Sequence, residues 1–220
     1  MSINETAKGM KSFTKKSVRI LQWNADGLKT KSDELAIRLR DGDIDIAVIQ
    51  ETWLTKDDLE PPVIPGYKPV REDRKANIKR GGLIFYLKET INYDKGGYIT
   101  KAGHEVLSIR VRLGRKKWLT ITNFYIPPSN STGQTIEYDP NVIPFTSASL
   151  ICGDFNAHHP VWDAIQPEDT RGGSTLEWAS SNNLQILNDP SSPTRHSRST
   201  GNGSSPDITL AGTDWATKCA

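Results

Sequence analysis

Residues 149 to 163 read SLICGDFNAHHPVWD. The apolar run Ser149 to Cys152 breaks at Gly153, and Asp154, Asn156, His158 and His159 follow at once. A core strand has no use for an acid, an amide and two imidazoles so close together. A loop that handles a reacting group does. The same ending recurs along the chain. VRILQW is followed by Asn24, DIAVIQ by Glu51, and TITNF by Tyr125, while SSPDITL carries Asp207 at its start. A sheet that delivers an acid or an amide from several strands at one rim builds a rigid polar cleft there.

The chemistry that suits such a cleft is narrow. Carboxylate and amide oxygens are hard ligands, right for Mg2+ or Mn2+. His158 and His159 are adjacent rather than at ligand spacing, and Cys152 and Cys219 are far apart, so there is no zinc pattern. There is no phosphate-cradling P-loop and no Gly-x-Ser-x-Gly elbow. Metal-assisted attack of water on a phosphate ester remains. The cation polarises the phosphoryl oxygen, a carboxylate positions or deprotonates the water, and neutral donors hold the developing charge. Each residue also has a plainer reading. Glu51 suits a surface or cap position, Asn24 a turn before Gly27, Tyr125 a core, and Asp154 with Asn156 an Asx-turn.

The elements that position these residues are mostly strands. Apolar alternation and short apolar runs predict strands at 18–23, 45–50, 81–88, 106–113, 116–125, 147–152, 185–187 and 207–210. Leu35, Ile37 and Leu39 among charges predict a helix over 32–40 with Ser32 as N-cap, and STLEWASSN predicts one over 174–182. The proline-rich stretch 60–69 and the Ser/Arg/Gly-rich stretch 191–205 read as loops, and 129–141 as a polar loop with room for a short helix. Many strands, few helices and no strict βαβ alternation predict two mixed or antiparallel sheets with helices outside.

The 220 residues are 35% hydrophobic and 25% charged, a globular composition. No apolar run reaches the roughly 18 residues of a membrane span, and no signal core begins the chain, so an intracellular protein is expected. Residues 1–17 read as a flexible basic lead-in and 18–220 as one domain. Net charge is only +2, yet basic residues cluster at Lys8 to Arg19, Arg71 to Arg80 and Arg110 to Lys117. Three such clusters are compatible with a polyanion partner.

The order QWNADGL, VIQETWL, GGLIFYLK, TNFYIPP, ICGDFNAHHPVWD and SSPDITLA resembles the endonuclease/exonuclease/phosphatase superfamily. Within it, the GDFNAHHPVW and PTR…SSPDITLA forms are most similar to the apurinic-endonuclease-like domains of non-LTR retrotransposons. The likeness runs from Val18 to Ala211. It implies an α/β fold, a four-layer α/β/β/α sandwich of two mixed, mostly antiparallel sheets flanked by helices. It implies a DNA phosphodiesterase using Mg2+ or Mn2+ that nicks target DNA or cuts at abasic sites. It also implies a monomeric, nuclear protein, with no membrane partner, whose full-length element carries a reverse transcriptase. By resemblance, Glu51 and Asn24 hold the metal, Tyr125 reaches the scissile phosphate, and Asp154 orients or deprotonates water. Asn156 donates to the phosphate, Asp207 matches the acid that orients a catalytic histidine, and Thr194, with Arg80 and Arg195, contacts DNA. His158 and His159 do not match that histidine and read as structural or DNA-adjacent.

The family's closing Ser-Asp-His motif has no match in the 13 residues after Asp207, where Asp214 is followed by Trp215. The expectation is a domain incomplete at its C-terminus, lacking its last strand, and of weak activity. An inactive nucleic-acid-binding remnant is the competing reading, and a superfamily member acting on a phosphoinositide or sphingolipid is the third.

Overall fold

The computed structural model describes residues 17–74, 80–101, 103–114, 117–128, 136–196 and 201–219. The lead-in up to residue 16 lies outside the described residues, as do Lys75, Lys79, Arg115 and Lys116 of the basic clusters.

The first sheet holds β1 (Ile20–Asn24), β2 (Ile46–Gln50), β3 (Tyr67–Glu72) and β4 (Leu83–Lys88), in the order β1-β2-β4-β3. Helix α1 (Ser32–Asp41) connects β1 to β2, which run parallel. The second sheet holds β5 (Tyr93–Lys101), β6 (His104–Arg112), β7 (Trp118–Tyr125) and β8 (Ser149–Asp154). After β8 come helix α2 (Thr170–Ser181) and β9 (Gln185–Ile186), and β12 (Asp207–Ala211) completes the order β5-β6-β7-β8-β12-β9. Between them β10 (Arg195–His196) and β11 (Gly203–Ser204) make a short antiparallel pair. β7 and β8 are parallel, and the other pairs of this sheet are antiparallel.

Side chains alternate between two apolar faces, which is why the central strands read as continuous apolar runs. Val48, Phe85, Leu107, Ile121 and Cys152 fill the space between the sheets. Ala47, Ile49, Ile84 and Tyr86 face outward with Leu35 and Leu39 of α1. Phe124, Ile151 and Ile208 face the other way, with Trp178 and Ala179 of α2. The layers are therefore α/β/β/α. Asn123 ties the two sheets across the core: its amide donates to the Ile49 carbonyl at 2.9 Å and accepts from Gln50 Nε2 at 2.7 Å. Among the described residues no helix is long and apolar enough to cross a membrane.

Several elements differ from expectation. β3 begins within the stretch 60–69 read as loop and contains Pro69, which is tolerated because β3 is an edge strand. β5, with Gly96 and Gly97 beside a register shift, was not anticipated. β8 does not stop at Cys152 but continues through Gly153 to Asp154. Glycine is needed there, because a Cβ would lie 2.5 Å from the Phe124 carbonyl oxygen of the neighbouring strand. Ser32 is inside α1 rather than its cap, which is Lys31. α2 begins four residues earlier than expected, capped by Asp169, whose carboxylate accepts from the Gly172 N–H at 2.6 Å. The 191–205 loop contains the β10–β11 pair.

Candidate active site

The two parallel pairs explain the site. β1 and β2 run side by side, Asn24 opposite Gln50, so Asn24 and Glu51 emerge at the same rim. β7 and β8 do the same in the other sheet, with Tyr125 opposite Asp154. The antiparallel β12 starts where β8 ends, which places Asp207 opposite Asp154. All of these groups open into one cleft of about 710 Å³.

Asn24 joins the two halves of the rim. Its Nδ2 donates to Glu51 Oε1 at 2.8 Å and to Asp154 Oδ2 at 2.6 Å. Its own oxygen accepts from the Asp26 N–H at 3.0 Å, so the turn reading of Asn24 also holds. Asp154 is 4% exposed. Burial first, and then the charge of Asp207, push its carboxyl well above the usual range, against the opposing bond from Asn24. Its Oδ1 accepts from the Asn156 N–H at 3.0 Å, an Asx-turn that shapes the loop after β8. Asn156 takes a left-handed backbone, φ 44°, and its side chain donates to the Ile126 carbonyl at 2.8 Å. Burial pushes Asp207 up to about 6, although Thr194 Oγ1 donates to it at 2.8 Å and Gln22 Nε2 reaches it at 3.5 Å. Tyr125 is 1% exposed, so its ring is core while it also lines the cleft. Burial, then the charges of Glu51 and Asp154, push its hydroxyl above its ordinary range.

Glu51 sits on a strained strap. Glu51 and Trp53 both have positive φ, 50° and 54°, a conformation that costs a non-glycine residue about 1–3 kcal/mol. Backbone bonds on both sides hold it: Gly27 and Leu28 donate to Glu51 and Thr52, and Thr52 and Trp53 donate to Gly82 and Gly81. The Trp53 indole N–H then donates to Glu51 Oε2 at 3.2 Å, and the Arg80 guanidinium lies over the indole at 5.8 Å. Both carboxylate oxygens of Glu51 are thereby engaged.

The cleft lining includes all nine residues singled out in the sequence: Asn24, Glu51, Arg80, Tyr125, Asp154, Asn156, Thr194, Arg195 and Asp207. His158 and His159 are outside it. His158 Nδ1 pairs with Asp163 Oδ2 at 3.0 Å, and His159 stacks on Trp162. Arg110 and Arg112 also lie elsewhere, against Trp118. Sequence reading missed Gln22, Arg74 and His196 in the lining, and Trp53 behind Glu51. Gln22 was findable, because it shares the strand face of Asn24 two residues on. Trp53 was not, since nothing local announces a left-handed tryptophan.

Known proteins resemble this chain in sequence and in fold. Residues 119–220 match the family model described as endonuclease-reverse transcriptase. The chain is 27% identical over 150 residues to a probable RNA-directed DNA polymerase from transposon X-element of Drosophila melanogaster. It is 24% identical over 150 residues to the RNA-directed DNA polymerase from mobile element jockey of the same organism. These alignments take in 67% and 68% of this chain but 16% of each relative, so the chain spans about a sixth of their length. Among solved structures, the endonuclease domain of TRAS1, a telomere-specific non-LTR retrotransposon, superposes with a TM-score of 0.69 at 21% identity, covering 91% of this chain and 88% of that one. An AP endonuclease from Leishmania major gives 0.67 at 14% identity, covering 91% and 80%. The chain has the endonuclease/exonuclease/phosphatase fold, and in sequence and structure it resembles the endonuclease domains of non-LTR retrotransposons.

Proposed function

We propose that this chain is a divalent-metal-dependent phosphodiesterase that hydrolyses the DNA backbone, the endonuclease domain of a retrotransposon protein whose remainder includes a reverse transcriptase. One observation carries the reading: the Asn24 amide spans Glu51 and Asp154 at 2.8 and 2.6 Å, joining acids from two sheets at one rim.

The donor set suits magnesium. Among the described residues no group of three or more His, Cys, Asp or Glu side chains is arranged to enclose a cation. Mg2+ takes one or two carboxylates and completes its shell with water and substrate phosphate. Glu51 would hold it, with Asn24 beside it, and the ion would supply charge to the phosphoryl oxygen. Asp154 orients the attacking water and accepts its proton. A carboxyl raised toward the working pH is the better base for that task. The Asn156 amide spends one N–H on Ile126 and keeps a second to offer the phosphate. Thr194 reaches Asp207 from the β10 side, next to Arg195, where a strand of DNA would be held.

Nicking of supercoiled plasmid in Mg2+ tests the reading. The 220-residue chain should convert plasmid to the open-circular form, and Glu51→Ala should abolish conversion and weaken Mn2+ binding in a titration. Conversion that persists in Glu51→Ala, or Mn2+ affinity left unchanged by it, would refute it.

A further inference from the structure

Arg74 follows β3, and Glu105 is the second residue of β6. Glu105 is 1% exposed. Its Oε2 accepts from the Gly82 N–H at 2.7 Å, and its Oε1 pairs with Arg74 Nε at 2.5 Å. Arg74 Nη2 donates to the Gly103 carbonyl at 3.2 Å, and the guanidinium carbon lies 5.7 Å from the centre of the Tyr125 ring. Gly81, at φ 94°, lies against the pair: a Cβ there would fall 2.3 Å from Glu105 Oε1 and 2.8 Å from Arg74 Nε. The guanidinium is thus fixed on three sides. Its side chain is 11% exposed, and what remains exposed is part of the cleft lining, with Tyr125, Glu51 and Arg80. No bond within the described residues uses Nη1.

A buried ion pair contributes little net stability, because desolvation offsets most of the attraction. Closing a loop onto a strand would be served as well by apolar side chains. A guanidinium whose rotamer is already fixed has a different use. It loses little further entropy when it grips a phosphate with its planar donors.

We propose that Arg74, braced by Glu105, binds a backbone phosphate of the DNA on the Tyr125 side of the cleft. Glu105 is a positioning residue that never touches DNA. The inference rests on the nuclease reading, and it adds a phosphate contact that the acid cluster does not provide.

The test uses the full chain and a fluorescein-labelled duplex in EDTA, so that no cleavage occurs. Affinity is measured across a salt series and across duplexes in which one phosphate at a time is a neutral methylphosphonate. Wild type should show a steep salt dependence, and one methylphosphonate position should weaken it about tenfold, the loss of one charged contact. Arg74→Gln should flatten the slope of log affinity against log salt by about 0.9, one phosphate's share. It should also become insensitive to that one position. Arg74→Gln leaves a buried carboxylate alone, so the double variant Arg74→Gln with Glu105→Gln, which buries no charge, should behave the same way. Glu105→Gln alone should weaken binding and keep the slope. The inference is overturned if wild type binds with a steep slope and Arg74→Gln and the double variant keep both slope and sensitivity at every position. A flat salt dependence in wild type overturns the nuclease reading and this inference with it.

Discussion

Gln22, Asn188 and Thr209 form a wall with a concavity on each side. On one side is the cleft of about 710 Å³, with Glu51, Asp154 and Asp207. On the other is a larger groove of about 960 Å³, lined by Val18, Ile20, Leu113, Leu150, Cys152 and Trp215 among others, with no acid or histidine among the described residues of its lining. Both concavities border the same strands, but Glu51, Asp154 and Asp207 line only the one at the end of the sheets where the parallel pairs stop. The wall is hydrogen-bonded throughout. Gln22 Nε2 donates to the Gly153 carbonyl at 2.8 Å and Thr209 Oγ1 donates to Gln22 Oε1 at 3.1 Å. Asn188 Nδ2 donates to the Asp207 carbonyl at 2.8 Å, and Asn188 Oδ1 accepts from the Thr209 N–H at 2.8 Å.

The contrast breaks most sharply in the cleft. Asp154→Ala should lower plasmid nicking by about 10²–10⁴, the range for a lost acid or base, with DNA affinity little changed. Loss of affinity with turnover retained would remove Asp154 from the chemical step. Next is a pH effect. Burial raises the carboxyls of Asp207 and its neighbour Asp154, and Asp207 binds more protons in the native state than in the unfolded chain between about pH 4 and pH 6. Its contribution to stability in EDTA is therefore largest below this window and is lost as pH rises through it, opposite in sign to that of Asp163, whose carboxyl is held low. Asp207→Asn should flatten that fall by about 1–2 kcal/mol, and equal slopes in thermal melts of the two proteins would contradict the assignment. The wall comes third. Gln22→Ala removes its bonds to Gly153 and Thr209 and should cost about 1–2 kcal/mol in urea unfolding, with nicking reduced less than by Asp154→Ala. An unchanged midpoint would mean the wall is not held by Gln22. The groove should show the smallest effect. Cys152 is buried, and burial pushes its thiol up to about 12. Cys152→Ala should cost about 1 kcal/mol and leave nicking unchanged, and a thiol reagent on native wild type should label the exposed Cys219 alone.

The cleft was legible in the sequence because Asn24, Glu51, Asp154 and Asn156 follow or interrupt apolar runs and Asp207 opens one. Their convergence was legible only from their order along the chain. The parallel pairing that produces it cannot be read from VRILQW or DIAVIQ alone. The central strands were legible for the same reason that their alternation is weak: both faces are buried. The edge strands β3 and β5 were not, since Pro69 and the Gly96-Gly97 pair read as loop and only tertiary pairing overrides them. The first turn of α2 was hidden by Gly172 and Gly173, which propensity counts against a helix. Arg74 sat in a noted basic cluster, but its partner Glu105 is on another sheet, so only the fold singles it out.

Each sheet is drawn from one uninterrupted stretch of chain. The first uses residues between Ile20 and Lys88, the second residues between Tyr93 and Ala211, and the joint is the short connection from Glu89 to Asn92. Asn24 and Glu51 therefore belong to one half-molecule, and Tyr125, Asp154, Asn156 and Asp207 to the other. During synthesis the first half leaves the ribosome with Val48, Phe85 and Leu87 uncovered, and no cleft exists until the second half arrives to cover them. A polypeptide divided between Glu89 and Asn92 leaves every strand pairing of each sheet within one fragment and separates the two sets of cleft groups completely. Each fragment would carry one set of cleft groups, so the cleft can form only where both are present.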